Sequence, residues 1–219
     1  MTSNAIRSIR RKKSSLSEVK IAVIGAPGVG KSALTVRFLT KRYIGEYDHQ
    51  TENKYKNEVM VDNEPVLFEI IDTCPKQGDN DFPKEEILQW ADGFLLVYSI
   101  IDKDSFTYLR EVRQLIQNSR PASPGGTQGQ SPCPIVVVAN KADLIHLRQV
   151  SSEDGEKLAK DNDAAFLEVA ASEHVAQVAE AFYELCREVH SFRRRSKQSL
   201  LDRIKYGGKN ANRSDASKK

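Results

Sequence analysis

Residues 25–32 read GAPGVGKS and fit the spacing G-x-x-x-x-G-K-S. Glycines let a main chain pass close to an anion, and successive N–H groups at a helix start concentrate positive potential there. Lys31 adds an ammonium that can reach terminal phosphates, and Ser32 adds a hydroxyl for a divalent cation bound to them. Gly25, Ala26, Pro27, Gly28, Val29, Gly30, Lys31 and Ser32, with Ala33 behind them, are therefore expected to hold a polyphosphate.

A second group with chemistry is NKAD, at Asn140, Lys141 and Asp143. It lies about 110 residues after the glycine loop and directly follows the apolar run PIVVVA. A carboxylate placed there can accept two hydrogen bonds, from the N1–H and the exocyclic amine of guanine. Adenine has no donors so arranged, and an acceptor left without a partner is costly. A guanine nucleotide is the expected ligand. The histidines His49, His146, His174 and His190 show no metal-ligand spacing and read as surface or loop residues.

Elements must hold these groups in place. VKIAVIG (19–25) is a β-branched run ending at a glycine, as a buried parallel strand should read. KSALTVRFLTKRY (31–43) follows as a helix, with Leu34, Phe38 and Leu39 on one stripe. KYKNEVMV and VLFEIID flank the turn signal DNEP and predict a hairpin. DGFLLVYSI (92–100), CPIVVVANK (133–141) and AAFLEVAA (164–171) are further strands, with Trp90 and Tyr98 at core or helix-packing positions. Phe106, Leu109, Val112 and Ile116 recur at helical spacing in 102–118, as do Val175, Val178, Phe182, Leu185 and Val189 in 173–192. Strands alternating with helices predict an α/β fold, a mostly parallel sheet covered on both faces. RPASPGGTQGQSPCP (120–134) interrupts the alternation as an insertion.

Charge is distributed unevenly. Residues 1–20 carry net +5 and residues 191–219 net +8, so the overall +3 leaves −10 for residues 21–190. We expect a basic disordered arm over 1–18, a globular domain over 19–190, and a basic, largely disordered tail over 191–219. Within the tail, SFRRRSKQSLLDRIKY continues the last helix as a basic cluster. Such arms suit weak contact with an anionic membrane, nuclear import, or simple solvation. Specific nucleic-acid binding is not expected. Cys74, Cys133 and Cys186 are odd in number and widely spaced, which fits a reducing, cytoplasmic setting. The sequence starts without a secretory signal and ends DASKK without a CaaX cysteine, so no lipid anchor is expected.

GAPGVGKS, FLTKRYIGEYD, the DT at Asp72 and NKAD together resemble a Ras-type small GTPase across 19–190. The wording of GKSALTVRFLTKRYIGEY and VVVANKADLIHLRQV is closest to the unprenylated branch around the Ras-related oestrogen-regulated growth inhibitor. The resemblance implies a P-loop NTPase fold with a six-stranded sheet, one strand of it antiparallel at an edge. It also implies a GTP/GDP switch with Mg²⁺, and effector or regulatory proteins docking on 44–60 and 74–90. By position, Tyr43 resembles the aromatic stacked on guanine, and Asn140 the residue tying the base loop to the phosphate loop. Lys141 would lie along the base plane. EVAAS (168–172) occupies the place of an E-x-S-A-K element, which puts Ala170 and Ala171 among the nucleotide-binding residues; Ala171 offers its N–H to the guanine carbonyl, while Ala170 and Ser172 replace the family's serine and lysine. Asp72 resembles the carboxylate on the metal side, and the metal set is Ser32, Thr51 and Asp72.

The resemblance breaks at DTCPKQGDN (72–80). Where the family reads D-T-A-G-Q, this chain has Pro75 at the glycine and Lys76 at the glutamine. Proline has no N–H to donate to a γ-phosphate. Lysine has no acceptor with which to orient an attacking water. Lys76 and Gln77, one residue later, are the two candidates for the catalytic position. Gln50 stands in the slot of the switch threonine, with Thr51 adjacent, and Pro27 replaces a common glycine of the phosphate loop. These departures predict nucleotide binding with slow hydrolysis, or a non-catalytic interaction module held in one nucleotide state.

Overall fold

The computed structural model describes residues 16–44, 52–74, 82–120 and 133–210. One sheet contains β1 (Ser17–Ile24), β2 (Asn53–Val61), β3 (Glu64–Asp72), β4 (Gly93–Ser99), β5 (Ile135–Asn140) and β6 (Ala165–Glu168). Its spatial order is β2-β3-β1-β4-β5-β6. All neighbours are parallel except β2, which pairs antiparallel with β3 at one edge. This is the six-stranded, mostly parallel α/β sheet expected from the sequence. Asp62 and Asn63, both at positive φ (49° and 65°), make the two-residue turn of the β2–β3 hairpin. Asp and Asn tolerate that backbone region better than most side chains.

The strands β4 and β5 are buried along their whole length, which explains their unbroken apolar runs. One face of the sheet packs under α1 (Lys31–Thr40) and α5 (Val175–Asn210), where Phe38 stacks on Phe182 with ring centroids 4.3 Å apart. The other packs under α2 (Glu85–Trp90), α3 (Lys103–Ser119) and α4 (Ser152–Lys160). The predicted stripe Phe106, Leu109, Val112 and Ile116 is buried on α3. Asp102 caps that helix by accepting from the Asp104 and Ser105 amides. Tyr98 is fully buried in β4, and Trp90 is half-buried on α2 beneath the ammonium groups of Lys20 and Lys54.

Several boundaries differ from the sequence reading. The first helix stops at Thr40, because Lys41 turns to φ 62° and returns its N–H to the Arg37 carbonyl. The last strand is confined to Ala165–Glu168. α2 and α4 have no counterpart in the sequence reading. α2 is six residues long, and α4 buries only Gly155, Leu158 and Ala159, too few apolar positions to show a period. Gly155 is required there, since a Cβ would lie 2.4 Å from Tyr98 Oη.

Within the tail, SFRRRSKQSLLDRIKY (191–206) continues the last helix as read from the sequence, and α5 runs on to Asn210. Adding residues to an existing helix requires no new nucleus, and Arg, Lys, Gln and Leu are good helix formers. His190 is also partly buried rather than a surface residue, with Nε2 2.8 Å from Ser17 Oγ. No described helix is long and apolar enough to cross a membrane. Gln50, Thr51, Pro75, Lys76, Gln77, most of the 120–134 insertion and the chain ends lie outside the described residues.

Candidate nucleotide-binding site

The glycine loop joins β1 to α1 at the carboxyl end of the sheet's parallel strands. Its shape depends on absent side chains. Gly28 and Gly30 sit at φ 75° and 98°, where L residues are strained. A Cβ on Gly25 would lie 2.1 Å from the Val97 carbonyl oxygen, and one on Gly30 would lie 2.3 Å from Asn140 Nδ2. Val29 is fully buried and pins the loop to the core, while Pro27 and Gly28 form its exposed crest. Ala26 is half-buried and Ala33 packs inward.

The Gly30 carbonyl accepts the first helical bond, from the Leu34 amide. The N–H groups of Lys31, Ser32 and Ala33 thus have no carbonyl behind them in the helix, which makes the start of α1 attractive to anions. The Lys31 ammonium, 6% exposed, donates to the carbonyls of Gly25 and Ala26 at 2.8 Å each. Its positive charge is thereby held on the loop itself.

On the base side, Asn140 ends β5 and is 2% exposed. Its Nδ2 donates to the Val29 carbonyl at 2.8 Å, and its Oδ1 accepts from the Ala171 amide at 3.2 Å. One side chain thus ties three loops together. The Ala171 N–H, which the resemblance offers to the base carbonyl, is given to Asn140 in this arrangement. Lys141 then takes φ 64° and starts a 3₁₀ helix (Ala142–Leu147) carrying Asp143 with its side chain exposed. Ala142 donates to the Val169 carbonyl and Val169 to that of Ala139, which brings the NKAD loop beside the 168–172 loop. Ala170 and Ala171 are buried under that loop. Tyr43 stands 47% exposed beyond the end of α1.

A brace that the sequence reading did not single out supports this side. Arg148 binds Glu168 through two bonds of 2.7 and 2.9 Å, and Ser152 Oγ adds a third to the same carboxylate at 2.8 Å. The guanidinium beside it holds the Glu168 carboxyl below its usual range, and Ser152 adds to that effect. Glu168 belongs to the quoted EVAAS, but nothing in the sequence pairs it with Arg148, twenty residues earlier.

Opposite Val23 of β1, Asp72 ends β3 and is 3% exposed. Thr73 after it turns inward, donating from Oγ1 to the Val23 carbonyl at 2.8 Å. Burial raises the Tyr55 phenol pKa, and the nearby Asp72 carboxylate raises it further. Ser32 is the second residue of α1, the helix that follows β1, the strand paired with β3. A hydroxyl and a carboxylate suit a hard cation that keeps waters and shares phosphate oxygens, as Mg²⁺ does. Among the described residues no three His, Cys, Asp or Glu converge on one metal position. The donor set fits an ion completed by the nucleotide rather than a dedicated protein cage. Thr51 and the candidates Lys76 and Gln77 lie outside the described residues.

Strand, glycine loop and helix, with a base-side loop tied back through one asparagine, define a P-loop nucleotide-binding domain of the α/β class. The sequence model of the Ras family matches residues 20–191, and the chain belongs to that family, that of Ras-like small GTPases. It is 42% identical over 187 residues to the Ras-related and estrogen-regulated growth inhibitor of Homo sapiens, covering 85% of this chain and 88% of that protein. It is 41% identical over 178 residues to Ras-like protein family member 11A of Homo sapiens, covering 78% and 70%. It is 37% identical over 174 residues to the Ras-related and estrogen-regulated growth inhibitor-like protein of Bos taurus, covering 80% and 84%.

Proposed function

We propose that the protein is a signalling switch that binds GTP and GDP together with Mg²⁺ and hydrolyses GTP slowly. The observation that carries this reading is the Asn140 side chain, which joins the phosphate loop to the loop beside Asp143. Backbone N–H groups at the start of α1 and the Lys31 ammonium neutralise the phosphates. Asp143 selects guanine by accepting from its two N–H donors. Ser32 and Asp72, with Thr51 from the first switch segment, would hold the Mg²⁺. That ion supplies charge neutralisation to the terminal phosphates.

Slow hydrolysis follows from substitutions on the γ-phosphate side. Pro75 donates no hydrogen bond, and one to a charged group is worth about 1.5–3 kcal/mol. Its loss weakens the preference for GTP over GDP by roughly ten- to a hundred-fold. Lys76 has no acceptor for water, and Gln77 stands one residue late. Gln50 occupies the slot of the switch threonine. The coincidence of these substitutions favours a second reading, an interaction module that keeps one nucleotide state and does not turn over. Effector or regulatory proteins would then recognise 44–60 and 74–90 in a fixed form. The basic end of α5 gives weak contact with anionic membranes, and Cys74, Cys133 and Cys186, none of them in a disulfide, support a cytoplasmic setting.

Nucleotide retained through purification separates the two readings: stable GTP marks the locked module, and GDP with slow single-turnover hydrolysis the switch. Asp143→Asn tests the base assignment. An amide presents a donor where the carboxylate accepted, so the variant should lose guanine nucleotides and gain xanthine nucleotides. Unchanged GDP affinity in that variant would refute guanine selection by Asp143.

A further inference from the structure

Beyond the globular domain, α5 presents Arg193, Arg194, Arg195 and Ser196 in succession. Residues 194–199 are all exposed, and exposed helical turns are among the parts of a fold that open most readily. Arg193 differs from its neighbours. Its guanidinium donates to the Glu18 carbonyl at 2.8 Å and pairs with Asp92 Oδ2 at 2.8 Å. The same Asp92 oxygen accepts the Lys20 amide at 2.8 Å, and the Asp92 amide donates to the Lys20 carbonyl. Asp92 lies two residues beyond α2 and one before β4. Arg193 thus clasps the outgoing helix to the start of β1 and to the turn below α2.

We propose that Ser196 is a phosphorylation site for an arginine-directed serine kinase, and that its phosphate opens this clasp. Three successive arginines immediately before a serine present the cationic determinant that acidic residues of such a kinase bind. In the transfer, Ser196 Oγ bonds to the γ-phosphorus of ATP as the bond to the β-γ bridging oxygen breaks. ADP leaves, and the hydroxyl proton passes to the kinase's base.

Helix geometry selects what the new phosphate meets. Side chains three or four positions apart face each other on a helix, whereas those one or two apart do not. The positions so related to Ser196 are 192, 193, 199 and 200, which hold Phe, Arg, Ser and Leu in the sequence. Arg193 is the one cation among them. A phosphoserine carries about −1.5 to −2 charge, against one on Asp92. It therefore competes for the guanidinium that Asp92 and Glu18 now share. Arg194, Arg195 and Lys197 are nearer in sequence but point elsewhere on the helix.

The test treats the full-length protein with ATP–Mg²⁺ and the catalytic subunit of cyclic-AMP-dependent protein kinase. Mass spectrometry should place one phosphate on Ser196 and none there in Ser196→Ala. Amide exchange at Lys20 and Asp92 should then quicken by about two- to five-fold, the scale of an exposed ion pair. Asp92→Asn should show this faster exchange without phosphate, and phosphorylation should add nothing further to it. No phosphate on Ser196, or phosphate only on Ser191 or Ser199, overturns the site. A phosphorylated Ser196 with unchanged exchange at Lys20 and Asp92 overturns the clasp.

Discussion

Asn140 donates from its side-chain amide to the carbonyl of Val29, 111 residues away in the chain. The two residues belong to different motifs, and their bond turns two separate loops into one site. Replacing Asn140 by Ala removes this bond and leaves the Ala171 amide without its acceptor. With two buried bonds lost at about 0.5–1.5 kcal/mol each, we expect Asn140→Ala to lose about 1–3 kcal/mol of stability. Urea denaturation measures that loss. Release of fluorescent GDP should accelerate together with it, since both loops loosen.

Gly30 meets the same asparagine from the other side. An alanine there must tolerate φ 98° and place its Cβ 2.3 Å from Asn140 Nδ2. The contact is to a held amide, so the loop must move instead. Gly30→Ala should lose measurable GDP binding in a fluorescence titration, while circular dichroism still reports the α/β fold. Gly28→Ala has open space around its Cβ and carries only the φ penalty, so it should bind more weakly than the native chain but better than Gly30→Ala.

Arg120 closes α2 from outside. Its Nε and Nη2 donate to the Leu88 carbonyl at 2.9 and 2.6 Å, and Nη2 also reaches the carbonyls of Gln89 and Ala91. A cation on the last carbonyls of a helix is favourable, and these carbonyls have no amides ahead of them in a six-residue helix. We expect Arg120→Ala to cost about 1–3 kcal/mol, read from the thermal midpoint, with faster amide exchange over residues 87–91. Arg120→Lys should recover only part, because an ammonium lacks the planar fork.

The Arg148–Glu168 brace makes a prediction about acid. The Glu168 pKa lies below its ordinary value of 4.5 in the folded chain, chiefly because Arg148 bonds its carboxylate. Below 4.5 the unfolded chain takes up the proton first. The stabilisation is therefore complete above that pH and is lost as pH falls through the lowered folded value. Glu168→Gln should flatten the stability profile below pH 4.5 and lower stability at neutral pH. Equal slopes for variant and native protein in acid would exclude this role.

Hydrolysis offers the sharpest chemical test. If Pro75 and Lys76 set the rate, Pro75→Gly with Lys76→Gln should raise single-turnover GTP hydrolysis by at least about tenfold, the equivalent of one recovered 1.4 kcal/mol interaction. Lys76→Gln alone should give less, since the missing N–H at position 75 persists.

Much of this architecture was legible in the residues themselves. Steric rules make GAPGVG a loop, because glycine takes the φ of Gly28 and Gly30 without the strain a side chain would bring. Apolar runs placed β4 and β5, whose burial on both faces leaves no alternation to misread. The stripes on α3 and α5 announced themselves by spacing, and DNEP announced its hairpin. α4 escaped because its pattern is dominated by charged residues around one small buried patch. The continuation of α5 through SFRRRSKQSLLDRIKY was legible, and only its last four residues, to Asn210, were not, because glycines weaken a helix that already exists without always ending it.

The amino-acid sequence by itself determined which groups bind phosphate and base, since donors, acceptors and missing side chains are local properties. Only the tertiary structure decided their partners. The resemblance already tied Asn140 to the phosphate loop, but that it would also take the Ala171 amide, that Arg148 would meet Glu168, Arg120 close α2 and Arg193 reach Asp92 depends on how the sheet orders its strands. Contacts between residues tens of positions apart are set by packing and register, and no local pattern of residue types encodes them.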